Sequence, residues 1–125
     1  MKQLLLAIFT ILVCACSTCK VSTQYQISEI KFGRGGGFTN QVEQFSLNKK
    51  GELSKNGKVI VRASCEEVER LFLMADALQQ PFNEPSNFYW FIELKGKEDK
   101  TFIWGSSSDV DKAVVNLFSE LNKLK

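Results

Sequence analysis

Residues 4–13 read Leu-Leu-Leu-Ala-Ile-Phe-Thr-Ile-Leu-Val, an almost unbroken apolar run behind the positive start Met1-Lys2-Gln3. A run of about ten residues is half of what a membrane-spanning helix needs, and its position fits the core of an export signal. The fold must therefore be built from the residues beyond this leader. The chain has 125 residues. Roughly 110 remain after the leader, which is one domain and enough to bury a core without staples.

The leader ends in Val13-Cys14-Ala15-Cys16. This resembles the bacterial lipoprotein signal, in which Ala precedes the cysteine that becomes the mature N-terminus. Cys16 fits better than Cys14, because bulky Val13 precedes Cys14. An ordinary secretory signal or a buried N-terminal helix is the alternative. The expected organisation is a signal peptide over 1–15, a lipidated tether over 16–23 and one domain over 24–125. The resemblance implies lipidation at Cys16, palmitate among the acyl chains, and an anchor in the membrane. Ser17 rather than Asp follows the cysteine. By the same resemblance this implies the outer membrane of a Gram-negative envelope, facing the periplasm. Some Bacteroidetes lipoproteins reach the cell surface with an acidic run at this point. Ser17-Thr18-Cys19-Lys20 has none, so surface display is the secondary expectation. Cys19 and Cys65 could form one disulfide in an oxidising envelope, or could each remain a free thiol.

Composition removes whole classes of function. Hydrophobic residues make up 44% and charged residues 24%, which argues against wholesale disorder. The net charge of +2 is too small for a nucleic-acid surface, and no nucleic-acid partner is expected. The chain contains no histidine, so Ser-His, Cys-His and His-metal sites are excluded. No cofactor and no metal site is expected. Cys65 at a helix start would have a lowered pKa but lacks a histidine base. The acidic Glu66, Glu67 and Glu69 read as structural rather than a catalytic pair, with Glu66 and Glu67 favourable in the first helical turn; Asp109 and Asp111 likewise read as first-turn charges rather than calcium ligands.

The remainder patterns as α+β in the order β-β-β-α-β-β-α: an antiparallel sheet with both helices packed on one face. Residues 25–32 read as a strand whose parity shifts, which a bulge near Ser28-Glu29 would reconcile. The glycines after it break the pattern, and a second strand is expected over 38–47. Residues 48–51 read as a turn, and Asn56-Gly57 is a strong hairpin turn within a third β element that resumes at 59–61. Ser64 and Glu67 form a capping box, followed by the stripe Val68, Leu71, Phe72, Ala75 and Leu78. Residues 79–87, with Pro81 and Pro85, read as a loop. Residues 88–94 are aromatic and β-branched, a central strand that returns through a charged tip as 101–104. Ser106 or Ser108 is expected to cap a last helix with the stripe Val110, Val114, Leu117, Phe118, Leu121 and Leu124.

Two features stand out as candidate binding elements. The first is Gly33-Arg34-Gly35-Gly36-Gly37, where Arg34 beside a backbone nest could hold a carboxylate or phosphate. It leads into a strand rather than a helix and lacks a following Lys-Ser/Thr pair, so a nucleotide cradle is not expected. A wide hairpin loop or glycine bulge is the plainer reading. The second is aromatic density, with ten Phe, two Tyr and two Trp. Tyr89, Trp90 and Phe91 cannot share one face of a strand. Tyr89, extended by Trp104 on a neighbouring strand, is the candidate exposed patch; coverage by loops or curvature is the alternative. Together with Asn83-x-Pro85-x-Asn87 and Trp104-Gly105, the segment Gly33-x-Gly35-Gly36-Gly37-Phe38-Thr39 resembles a group of small Bacteroidetes-type lipoproteins. That resemblance implies localisation and domain extent, without an activity.

The expected function is a non-enzymatic, lipid-anchored binding or inhibitor module. Its candidate contacts are Arg34, Gly35, Gly36, Gly37, Tyr89 and Trp104, and its partner an envelope protein, peptide or glycan. A structural or assembly accessory of the envelope is the main alternative. An enzyme with an unrecognised carboxylate or arginine site is the third.

Overall fold

A computed structural model describes residues 26–37, 41–106 and 108–125. Among these residues the fold is α+β, with a seven-stranded, mostly antiparallel sheet and two helices. The strands are β1 (Ile27–Gly36), β2 (Glu43–Asn48), β3 (Glu52–Lys55), β4 (Lys58–Arg62), β5 (Phe82–Glu84), β6 (Phe88–Gly96) and β7 (Lys100–Gly105). Helix α1 (Cys65–Asp76) follows β4, and α2 (Lys112–Asn122) follows β7. The sheet order is β4-β3-β2-β1-β6-β7-β5, which puts β1 at its centre.

Local chemistry sets most of these boundaries. Asn56 and Gly57 adopt φ 53° and 78°, as the two positive positions of a tight hairpin between β3 and β4 require. The Asn48 side chain accepts hydrogen bonds from the Lys50 and Glu52 amides, at 3.0 and 3.1 Å, and closes the β2–β3 turn. Ser64 caps α1 by accepting from the Glu67 amide at 3.2 Å. The parity shift in β1 is a register irregularity against β6 between Ile27 and Glu29. It lets Ile27, Ile30 and Phe32 all be buried.

In register, Ile30 faces Leu47 and Leu94, and Phe32 faces Phe45 and Ile92. These six residues enter one buried cluster with Val68, Leu71, Phe72 and Ala75 of α1 and Val114, Leu117 and Leu121 of α2. Phe118 meets Phe32 and Trp104 edge-on, with ring centroids 6.4 and 5.2 Å away. Full burial of each large apolar side chain contributes about 1.5–3 kcal/mol. The Arg70–Glu120 ion pair, at 3.0 Å, ties the two helices together.

Several expectations are corrected. β1 does not stop at Phe32 but runs through the glycines to Gly36, paired on both sides at Gly33 and Arg34. The expected second strand over 38–47 is β2 (Glu43–Asn48), with positions 38–40 outside the described residues, and the hairpin around Asn56-Gly57 counts as two strands. The proline-containing loop holds a short strand, β5, which pairs parallel to β7. Its partner lies beyond β6 in sequence, so no local pattern announces it. Finally, Asp111 rather than Ser106 or Ser108 caps α2, accepting from the Ala113 amide at 3.0 Å. The Ser108 hydroxyl instead accepts from the Gly105 amide and donates to the Glu84 carbonyl, both at 3.0 Å, joining the ends of β7 and β5.

The signal peptide over 1–15, the lipidation residue Cys16, the tether over 16–23 and Cys19 lie outside the described residues. Cys65, the first residue of α1, is disulfide-bonded. The other cysteines, Cys14, Cys16 and Cys19, all lie in the segment that is not described. No helix among the described residues is long and apolar enough to cross a membrane.

Candidate functional site

The glycine segment and the aromatic strand are one paired unit. Across β1 and β6, Gly33 faces Phe91, Arg34 faces Trp90, Gly35 faces Tyr89 and Gly36 faces Phe88. Alternation then sorts the side chains. Arg34, Phe88 and Trp90 leave the sheet on the face that carries Phe32 and Ile92. Tyr89 and Phe91 leave on the other, their rings 6.4 Å apart.

The glycines make this pairing possible by close approach. A Cβ on Gly35 would lie 2.5 Å from the Tyr89 hydroxyl, so the tyrosine ring lies across that backbone. Gly36 has φ 94°, and a Cβ there would collide with the Asn87 carbonyl. The next amide, Gly37, donates to that same carbonyl at 2.8 Å. The Gly37 N–H is thus committed to the chain rather than open to a ligand.

Arg34 is the outstanding side chain, 69% exposed between two buried glycines. An open depression of about 410 Å³ lies beside it, lined by Arg34, Gly36, Val42, Glu43, Lys55 and Phe88 among others. Phe88 is 63% exposed and Val42 53%, so the depression is amphipathic. A second hollow of about 260 Å³ continues on the other side of Arg34 and Glu43, toward Trp90, Phe118 and Lys125. Glu43 is surrounded by cations. Arg34 Nε lies 3.8 Å and Lys125 Nζ 3.9 Å from its Oε1, and Lys55 Nζ lies 3.5 Å from its Oε2. Lys55 and Lys125 also sit over the Phe45 ring, 5.2 and 4.5 Å from its centroid.

Of the expected contact residues, Arg34, Gly35 and Gly36 line this depression. Tyr89 is adjacent in register but points to the opposite face, where it covers Gly35. Trp104 does not extend a patch with Tyr89. It pairs with Trp90 across β6 and β7, is 6% exposed and packs on Phe118 in the core. The exposed aromatic residue that lines the depression with Arg34 is Phe88, which is not among the residues expected from sequence. Strand parity carries the signal for it, since Phe88 and Trp90 must share a face. Lys55, Lys125 and Glu43 are likewise absent from the expected set, because they converge from β3, the chain end and β2.

Reactive chemistry is sparse. Among the described residues, no group of three or more His, Cys, Asp or Glu side chains could hold a metal ion. Glu120 titrates below the ordinary carboxylate range because Lys123 and then Arg70 hydrogen-bond to it, and it bridges the two helices at the surface. No protein-family model, curated protein or solved structure matches the chain.

Proposed function

We propose that this chain is a lipid-anchored lipoprotein of the cell envelope that binds a partner without catalysis. Its contact surface is the glycine end of β1 with the facing start of β6. Cys16 carries the lipid, the tether spans 16–23, and the domain sits at the outer membrane facing the periplasm. With Cys14 removed in the leader and Cys16 acylated, Cys19 is the partner left for Cys65. In this reading both helices cover one face of the sheet, and the smaller hollow beside Arg34 meets α2 at Phe118 and Asn122. The family of small Bacteroidetes-type lipoproteins with the same glycine segment belongs to this reading.

One observation carries it. A charged, exposed side chain flanked by two buried glycines stands beside an exposed phenylalanine in an open hollow. Exposed large apolar side chains next to a cation favour protein or peptide contact. Crosslinking in cells, followed by co-purification of the lipidated protein and of its Arg34→Ala variant, tests the reading. One specific partner that is lost in the variant is the expected result. An identical partner set for both removes the site from Arg34. No partner for either leaves a tethered structural accessory as the function.

A further inference from the structure

Resting on the binding-module reading, we propose that the ligand at Arg34 is a peptide segment presenting a carboxylate next to a large apolar side chain. In the free chain, Glu43 occupies the place of that carboxylate. Three side-chain cations converge on the one Glu43 carboxylate, all at 3.5–3.9 Å. Charge-assisted hydrogen bonds close to about 2.7–2.9 Å, as Lys123 does on Glu120 at 2.9 Å. The cations therefore surround Glu43 without closing on it. Among the described residues Arg34 makes no other ion pair, and its contact is through Nε rather than the terminal fork.

Each cation has a support besides the Glu43 carboxylate. The Phe45 ring lies under both Lys55 and Lys125. The Arg34 backbone is fixed by pairing to Glu43 on one side and Trp90 on the other. A second carboxylate entering the depression would find the Arg34 fork free for bidentate contact. Its neighbouring apolar group would lie against Phe88 and Val42, which line the same wall. Charge complementarity thus selects an acidic ligand, and the exposed phenylalanine selects an apolar group beside the acid.

The test uses the full-length chain in a neutral detergent, followed by backbone amide shifts of Gly35, Gly36 and Val42. The probes are N-acetyl-L-phenylalanine, its uncharged amide and inorganic phosphate. The acid should bind at roughly millimolar affinity, as a fragment of this size does. The amide should bind roughly tenfold more weakly, as should the acid to Arg34→Ala. Glu43→Gln should tighten the acid by roughly threefold to tenfold, because it removes the internal competitor. Lys55→Ala should weaken it, which keeps the test decisive should Glu43→Gln lose its fold. Equal binding of acid and amide overturns the proposal, as does phosphate binding better than the acid. A folded Glu43→Gln that binds the acid less tightly also overturns it, as does the absence of shifts with every probe. If crosslinking still finds an Arg34-dependent partner in those cases, the binding module stands and this ligand chemistry alone falls.

Discussion

The two halves of β1 are stabilised by opposite means. From Ile27 to Phe32 the strand sends side chains into the core, and Ile30 and Phe32 are wholly buried. From Gly33 to Gly36 it sends almost nothing, and its neighbours close over the bare backbone: Tyr89 lies on Gly35 and the Asn87 carbonyl abuts Gly36. The first half is held by what it contributes, the second by what it leaves out. The glycine half can therefore present Arg34 on a rigid, doubly paired strand with open space beside it. A segment rich in glycine is usually read as mobile, but here it is part of the central strand.

Substitutions can break this contrast. The largest effect is expected from Phe32→Ala, which opens a cavity against Phe45, Phe118 and Ile92 and should cost about 3–5 kcal/mol in urea denaturation. Gly36→Ala comes next, at about 2–4 kcal/mol, because both the positive φ and the Asn87 backbone oppose a Cβ. Gly35→Ala should cost only about 1–2 kcal/mol, since its obstacle is the far end of a tyrosine. In a Tyr89→Ala background most of that cost should vanish, whereas the cost of Gly36→Ala should persist; equal behaviour of the two glycines would end the distinction. Arg34→Ala should change stability by less than about 0.5 kcal/mol while removing partner capture, since its ion pair is exposed. The smallest effect concerns the helices. The lowered pKa of Glu120 means its ion pairs stabilise the fold above the unfolded value near 4.5, and this contribution is lost as pH falls through the folded value. Glu120→Gln should therefore flatten the acid limb of the thermal stability profile slightly.

The features legible in the sequence are local. The apolar stripes of both helices, the Ser64 cap, the Asn56-Gly57 turn and the parity shift near Ser28 each arise from residues a few positions apart. The elements that sequence misplaces depend on distant partners. Nothing within Gly33–Gly36 favours a strand; Glu43 and Phe88–Phe91 impose it. β5 is defined by its parallel pairing with β7. Ser108 has the right chemistry for a helix cap, but the Gly105 amide and Glu84 carbonyl engage it first. The candidate site is half legible. Arg34 is visible as a charge among glycines, whereas Lys55, Glu43 and Lys125 meet only once the sheet is assembled.

The place of β1 in the sheet also has a consequence for how the chain comes into being. Among the described residues it is the first strand made, yet one of its two neighbours, β6, is made only after β2, β3, β4, α1 and β5. Until then one edge of the central strand has only water for its backbone groups, and non-local pairings of this kind close slowly. A chain emerging from the ribosome, or threaded through a pore, would carry this open seam until the residues of β6 arrive. Sealing of the sheet at its middle therefore waits on the arrival of β6 beside β1.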